Sequence, residues 1–251
     1  MVDERCRRKV LEIAYRKVNW NPRSLAEGRV GFSRWERKQR RKLQRAAAES
    51  LFGDLLERTA AIPSPVRLAR NHEGRPVLPV EAGRSTIKVS LSHSGSLVMA
   101  GVTDLGEIGI DVERLATKRP IDEMAGYAFG PREQCAVRTG GSRAFYRIWT
   151  LREALAKAKG VGIELITDGR DYFPDAPSSG SWRTLVDGSS WLFSTAELAG
   201  GYSASLAVAL PSHDVAARVA DFTFRELPCE RPASTLKRDA RGAATCNVVI
   251  R

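Results

Sequence analysis

Ile108-Gly109-Ile110-Asp111-Val112-Glu113 is the stretch on which the reading of this chain turns. It reads as a strand with two carboxylates at alternate positions. Some forty residues later comes Trp149-Thr150-Leu151-Arg152-Glu153-Ala154-Leu155-Ala156-Lys157, which reads as a helix. Residues i and i+2 of a strand point to one face, so Asp111 and Glu113 project together. Residues i and i+4 of a helix are stacked neighbours, so Glu153 and Lys157 share a face. A helix packed over the end of the strand would bring three carboxylates toward one hard cation such as Mg²⁺, with Lys157 beside it as a further positive charge. Such a set suits a diphosphate substrate. Taken singly, the strand acids also fit a solvated strand end, and the helix pair fits a surface ion pair.

Outward from these motifs, the pattern alternates between helix and strand. Helix formers dominate from Arg34 to Arg58, with Leu43, Ala47, Leu51 and Leu55 on one stripe. Residues 34–45 carry seven basic side chains and one acidic one. Pro63, Pro65 and Asn71-His72-Glu73-Gly74 end this helix in a loop. Strands are expected at Ile87–Leu91, Leu97–Val102 and Glu107–Val112, then at Trp182–Val186, Trp191–Thr195 and Tyr202–Leu210. Breaks at Pro120, Gly130-Pro131 and Gly140-Gly141 precede the strongest helix, Arg143 to Lys159, which stops at Gly160. Each half therefore reads as a helix followed by antiparallel strands, an α+β chain. The pair Ile87–Leu91 and Leu97–Val102 is mirrored by Trp191–Thr195 and Tyr202–Leu210. The tail from Leu227 to Arg251 has no clear periodicity.

The bulk composition bounds the class of protein. The chain has 251 residues, 43% apolar and 27% charged, enough for one large core or two modest ones. No apolar run reaches the roughly 20 residues that span a bilayer. Met1 to Lys9 is basic with no apolar stretch behind it, so no secretory leader is expected. The four cysteines are scattered, which fits a reducing cytoplasm better than a zinc or redox site. A net charge of +11 favours acidic partners. A nucleic-acid binder would interleave aromatics with the basic run, and only Trp35 lies there. A catalytically silent scaffold would have lost one of the acids or the lysine, and none is lost.

The two central motifs resemble those of the 4′-phosphopantetheinyl transferases: an apolar-Gly-apolar-Asp-x-Glu strand, then a Trp-Thr/Ser-x-x-Glu-Ala-x-x-Lys helix. Two further segments match in the family's order. Gly74-Arg75-Pro76 resembles its Gly-Lys/Arg-Pro element. Ser90-Leu91-Ser92-His93-Ser94 resembles its Asn-apolar-Ser-His-Ser element, with Ser90 at the usual Asn. The length and Glu113 point to the two-lobed monomeric type that serves polyketide, peptide and siderophore synthases.

That resemblance implies two pseudo-symmetric lobes, each of helices on a small antiparallel sheet, with the ligand site at their interface. The implied division is an N-terminal lobe at 1–106, a C-terminal lobe at 107–226 and an extension at 227–251. The implied reaction moves phosphopantetheine from coenzyme A to a serine of an apo acyl or peptidyl carrier protein, leaving 3′,5′-adenosine bisphosphate. Asp111, Glu113 and Glu153 match the acids that hold Mg²⁺, with Mn²⁺ as the substitute. Glu153 is also the candidate base and Lys157 the phosphate-stabilising cation. Ser92 and His93 match coenzyme phosphate contacts, and Arg75 the basic residue near the adenine. Arg37, Lys38 and Arg45 are candidates for the 3′-phosphate, because Glu49 stands where many members have Arg. Phe129-Gly130-Pro131-Arg132-Glu133 resembles a flexible arm near the carrier. Neither nucleic acid nor membrane is expected as a partner.

Overall fold

A computed structural model of the chain describes residues 11–18, 33–60, 68–72, 75–78, 87–116, 118–211 and 224–227, and short strand pairs at 237–238 and 244–245. The loop prolines Pro63 and Pro65, Gly74, the basic N-terminus and most of the tail beyond Leu227 lie outside the described residues.

The core elements are β1 (Leu11–Lys17), α1 (Arg34–Ala60), β2 (Ala69–Arg70), β3 (Pro76–Val77), β4 (Lys88–Ser94), β5 (Leu97–Thr103) and β6 (Ile108–Arg114). They continue with α2 (Ile121–Ala128), α3 (Pro131–Lys159), α4 (Ile163–Ile166), β7 (Gly180–Val186), β8 (Ser189–Leu198), β9 (Tyr202–Ala209) and β10 (Arg225–Glu226). The class is α+β, as expected. One four-stranded sheet has the order β10-β1-β5-β4 and the other β6-β9-β8-β7.

Alternation along the strands builds a helix–sheet–sheet–helix stack. Leu97 and Met99 of β5 join Ile108, Ile110 and Val112 of β6 and Ala204, Leu206 and Val208 of β9 in a core shared by the two sheets. Val98, Ala100 and Val102 face the other way, onto Leu51, Phe52, Leu55 and Leu56 of α1. On the far side, Leu151, Ala154, Leu155 and Ala158 of α3 pack with Phe193 and Ala207 of the second sheet. Because Ile108, Ile110 and Val112 point into the shared core, Gly109, Asp111 and Glu113 must point toward α3.

The two halves repeat one pattern. In each, a strand precedes a long helix, and a hairpin follows whose second strand pairs antiparallel with the first strand. These are β1, α1, β4 and β5 in one half, and β6, α3, β8 and β9 in the other. The repeat includes β1, which the sequence reading left unassigned. Glu12, Arg16 and Lys17 interrupt its apolar pattern. Arg16 is buried and pairs with Asp54 of α1 at 2.6 Å, so a charge sits where a strand pattern needs an apolar residue. The first sheet is also not wholly antiparallel. Arg225–Glu226 adds a parallel edge to β1, and the Arg16 guanidinium donates to the Leu227 carbonyl.

Helix starts follow capping chemistry. Ser33 and Glu36 form a reciprocal box at the start of α1: the Glu36 amide donates to Ser33 Oγ, and the Ser33 amide to Glu36 Oε2. Pro131 follows the N-cap Gly130 of α3, where its missing N–H costs nothing. The strongest helix is therefore longer than the expected Arg143–Lys159. The Gly140-Gly141 break is present as a kink, with Gly141 at φ 60° and ψ −146°. Only glycine adopts that conformation readily, so the chain turns there and resumes as helix.

Candidate active site

Gly109 sets the distance between strand and helix. A Cβ there would overlap the Ala154 carbonyl oxygen and stand 2.6 Å from the Ala158 nitrogen. The backbone of α3 therefore rests directly on β6, with Glu153 and Lys157 beside Asp111. Thr150 fixes the helix from below. It is fully buried, 2.8 Å from Ser205 Oγ and 3.3 Å from Ser203 Oγ. Ser205 and Ser203 are the strand partners of Asp111 and Glu113. The threonine after Trp149 thus registers the helix against the strand that pairs with the acids. Trp149 stacks on Phe145 with ring centres 5.7 Å apart, a packing role.

Lys157 Nζ donates to three acceptors: Asp111 Oδ1 at 2.6 Å, the Ile110 carbonyl at 3.1 Å and Ser92 Oγ at 3.3 Å. Its ion pair is with Asp111, so the simple surface pair with Glu153 does not form. Asp111 Oδ1 also accepts from Ser92 Oγ at 2.8 Å. Asp111 Oδ2 is buried with no hydrogen-bond partner. Burial raises the Glu153 carboxyl to about 6, and the charges of Asp111 and Glu113 raise it while Lys157 opposes them. Burial also raises Glu113, against a hydrogen bond from Ser94.

The acids are oriented from the first sheet. Strand β6 is the edge of the second sheet, and three of its amides point away from β9. Ser90, Ser92 and Ser94 of β4 accept them: Ile110 N at 3.1 Å, Val112 N at 3.2 Å and Arg114 N at 3.1 Å. A ladder of hydroxyls replaces the backbone ladder that would otherwise join the two sheets. Ser92 and Ser94 in turn donate hydrogen bonds to Asp111 Oδ1 at 2.8 Å and Glu113 Oε2 at 2.7 Å.

His93 is exposed beside this ladder. Desolvation lowers its pKa, helped by Lys157 and Arg40 and opposed by a backbone hydrogen bond and Asp111. Arg75 Nη2 lies 2.8 Å from Glu107 Oε2 and 3.2 Å from the Ala158 carbonyl, one residue beyond Lys157. Arg75 therefore reaches the end of α3. From the basic helix, the charge felt at His93 is Arg40, which the sequence reading did not single out. Arg40 stands one turn before Gln44, whose amide donates to the Gly95 carbonyl in the β4–β5 turn at 2.8 Å. Arg37 shares that stripe two turns back and is exposed. Lys38 rotates off it and lines a shallow depression with Arg34, Trp35 and Arg41, while Arg45 pairs with Glu49 at 2.9 Å. A register count from buried Gln44 is the signal that finds Arg40.

The segment Phe129 to Glu133 differs from the flexible arm expected of it. Phe129 and Glu133 are buried and Pro131 opens α3. Arg152 gives the reason. Its guanidinium is fully buried, 2.6 Å from Glu133 Oε2, and lies over the rings of Phe129 and Tyr172 at 5.0 Å each. It also donates to the carbonyls of Leu165, Ile166 and Arg170. A buried guanidinium needs a carboxylate, and Glu133 meets it only if the segment is folded down.

Among the described residues, no three of His, Cys, Asp and Glu stand close enough to enclose a metal ion. The donor chemistry still suits a hard cation. Three carboxylates act on one another, and the buried Asp111 Oδ2 lacks a partner.

Where β6 and α3 touch, carboxylates and a lysine come together with Arg75 at the end of the helix, a charge set whose chemistry suits a phosphorylated ligand. The family comparisons agree with that class. Residues 107–209 match the 4′-phosphopantetheinyl transferase superfamily. The chain is 31% identical to the 4′-phosphopantetheinyl transferase HetI of a Nostoc species, over 51% of this chain and 54% of HetI. It is 29% identical to a 4′-phosphopantetheinyl transferase of Bacillus subtilis, over 49% of this chain and 56% of the relative. It is 30% identical to the transferase AcpT of Salmonella typhi, over 52% of this chain and 68% of AcpT. The chain belongs to the 4′-phosphopantetheinyl transferase superfamily. Its matches span little more than half the length of HetI and the Bacillus protein.

Proposed function

We propose that the protein transfers the 4′-phosphopantetheine arm of coenzyme A to a serine of an apo acyl or peptidyl carrier domain. Carriers of polyketide or peptide synthases are the intended substrates, and a monomer in the cytoplasm is the working form. The observation that supports this most is the meeting of Asp111, Glu153 and Lys157 where β6 and α3 touch.

The serine oxygen attacks the β-phosphorus, its proton leaves, and 3′,5′-adenosine bisphosphate departs. Lys157 holds a positive charge where negative charge gathers on the phosphoryl oxygens. Glu153, with its carboxyl raised to about 6, is matched to accept the serine proton near neutral pH, directly or through a water. Asp111, Glu113 and Glu153 would hold Mg²⁺, or Mn²⁺ in its place. A bound divalent ion supplies charge neutralisation at the diphosphate. Ser92, His93, Arg75 and Arg40 flank the coenzyme side, with Arg37 farther along the helix. In the proposed division, residues 1–106 serve coenzyme A, 107–226 carry the acids and catalytic helix, and 227–251 form an extension. The carrier docks on the basic outer surface, where Arg34, Lys38 and Arg41 surround Trp35.

Incubation with coenzyme A, Mg²⁺ and a panel of apo carrier domains should release adenosine bisphosphate, and EDTA should stop the release. No release with any carrier, together with no binding of coenzyme A, contradicts the proposal.

A further inference from the structure

We infer that Ser94 is a positioning residue for the metal-binding carboxylate of Glu113, fixing that acid from the opposite sheet. The inference rests on the proposed role of Glu113. The Ser94 hydroxyl has one proton, and the geometry gives it to Glu113 Oε2 at 2.7 Å. Ser94 Oγ itself accepts the Arg114 amide at 3.1 Å, so the hydroxyl cannot swing away without leaving an edge amide of β6 unmet. Glu113 is thereby tied by one carboxylate oxygen, and the other is left for a cation. A hydrogen bond from an outer group to a ligating carboxylate orients it and tunes metal affinity.

The ladder contains its own control. Ser90 accepts the Ile110 amide at 3.1 Å, as Ser94 accepts that of Arg114. No bond from Ser90 to a carboxylate accompanies it among the described residues. Loss of the Ser90 hydroxyl removes a sheet contact only. Loss of the Ser94 hydroxyl removes a sheet contact and the orientation of an acid. Ser92 is less informative as a probe, because it also touches Lys157 at 3.3 Å.

The test uses the full chain with Mn²⁺ as the probe and coenzyme A present, with no carrier and no turnover. Free Mn²⁺ is read by electron paramagnetic resonance, and melting is followed in parallel. Ser94→Ala should weaken Mn²⁺ binding by about 10- to 100-fold. Ser94→Thr, which keeps the hydroxyl, should restore it. Ser90→Ala should lower the melting temperature about as much as Ser94→Ala and leave Mn²⁺ binding within about twofold. Ser94→Cys keeps the shape with weaker bonds, so it reports the same effect at smaller amplitude should the alanine variant unfold. Equal Mn²⁺ affinity in wild type, Ser94→Ala and Ser94→Cys would overturn the inference and leave the transferase reading intact. A wild type that binds no Mn²⁺ would overturn the metal role of Glu113 and the inference together.

Discussion

Lys157 Nζ lies 2.6 Å from Asp111 Oδ1, across the contact between α3 and β6, and not on Glu153 one turn earlier in its own helix. This choice leaves Asp111 compensated and Glu153 less so. Replacing Lys157 by Met should strand the Asp111 carboxylate, which is 5% exposed. The expected loss of stability is about 1–3 kcal/mol, read from denaturant melts. Transfer should fall by about 100-fold or more. The double variant Asp111→Asn/Lys157→Met should recover part of the stability and none of the activity.

Glu153 carries the opposite sign. Its folded carboxyl sits at about 6, above the ordinary 4.5. Its contribution to stability is therefore fully present below pH 4.5 and is lost as pH rises through 6. Glu153→Gln should melt higher than wild type at pH 7–8, by an amount of order 1 kcal/mol once solvent screening is allowed for. The difference should vanish on acidification below about pH 4.5, while transfer is lost at every pH. A Gln variant no more stable than wild type at pH 7.5 would contradict the burial assigned to this acid.

Gly109→Ala places a methyl against backbone atoms of Ala154 and Ala158, which cannot rotate aside. The helix must lift from β6. We expect a cost of about 1–3 kcal/mol and loss of activity out of proportion to it, because Glu153 and Lys157 move together. Melting and turnover measured on one preparation separate the two effects.

Much of this was legible in the sequence because the signals were local. The period-2 acids of β6 and the i, i+4 pair of α3 need only the geometry of one element. What escaped depended on contacts between elements. Strand β1 hides behind Arg16, whose charge is met by Asp54 in a different element. Arg40 is one of seven basic residues in its run, and only the register of Gln44 distinguishes it. Glu133 reads as an exposed loop acid until Arg152 is found buried against it. The serine ladder is written as alternating serines, but its purpose requires knowing that β6 is the neighbouring edge.

The Arg152–Glu133 pair supports α3 on the side away from Asp111, at 0% exposure for both side chains. Arg152→Ala should cost about 3–5 kcal/mol, since it leaves a buried carboxylate unpaired. Arg152→Lys should recover only part of this, because an ammonium cannot serve Glu133 and the three carbonyls at once. Thermal melts of Arg152→Ala, Glu133→Gln and the double variant, taken as a cycle, give the coupling.

The most direct measurement is the intact mass of an apo carrier domain after incubation with the protein, coenzyme A and Mg²⁺. The account predicts the gain of one phosphopantetheinyl group on the carrier with the wild type and none with Glu153→Ala or in EDTA. Modification that persists with Glu153→Ala, or an unmodified carrier panel with a protein that fails to bind coenzyme A, would contradict it.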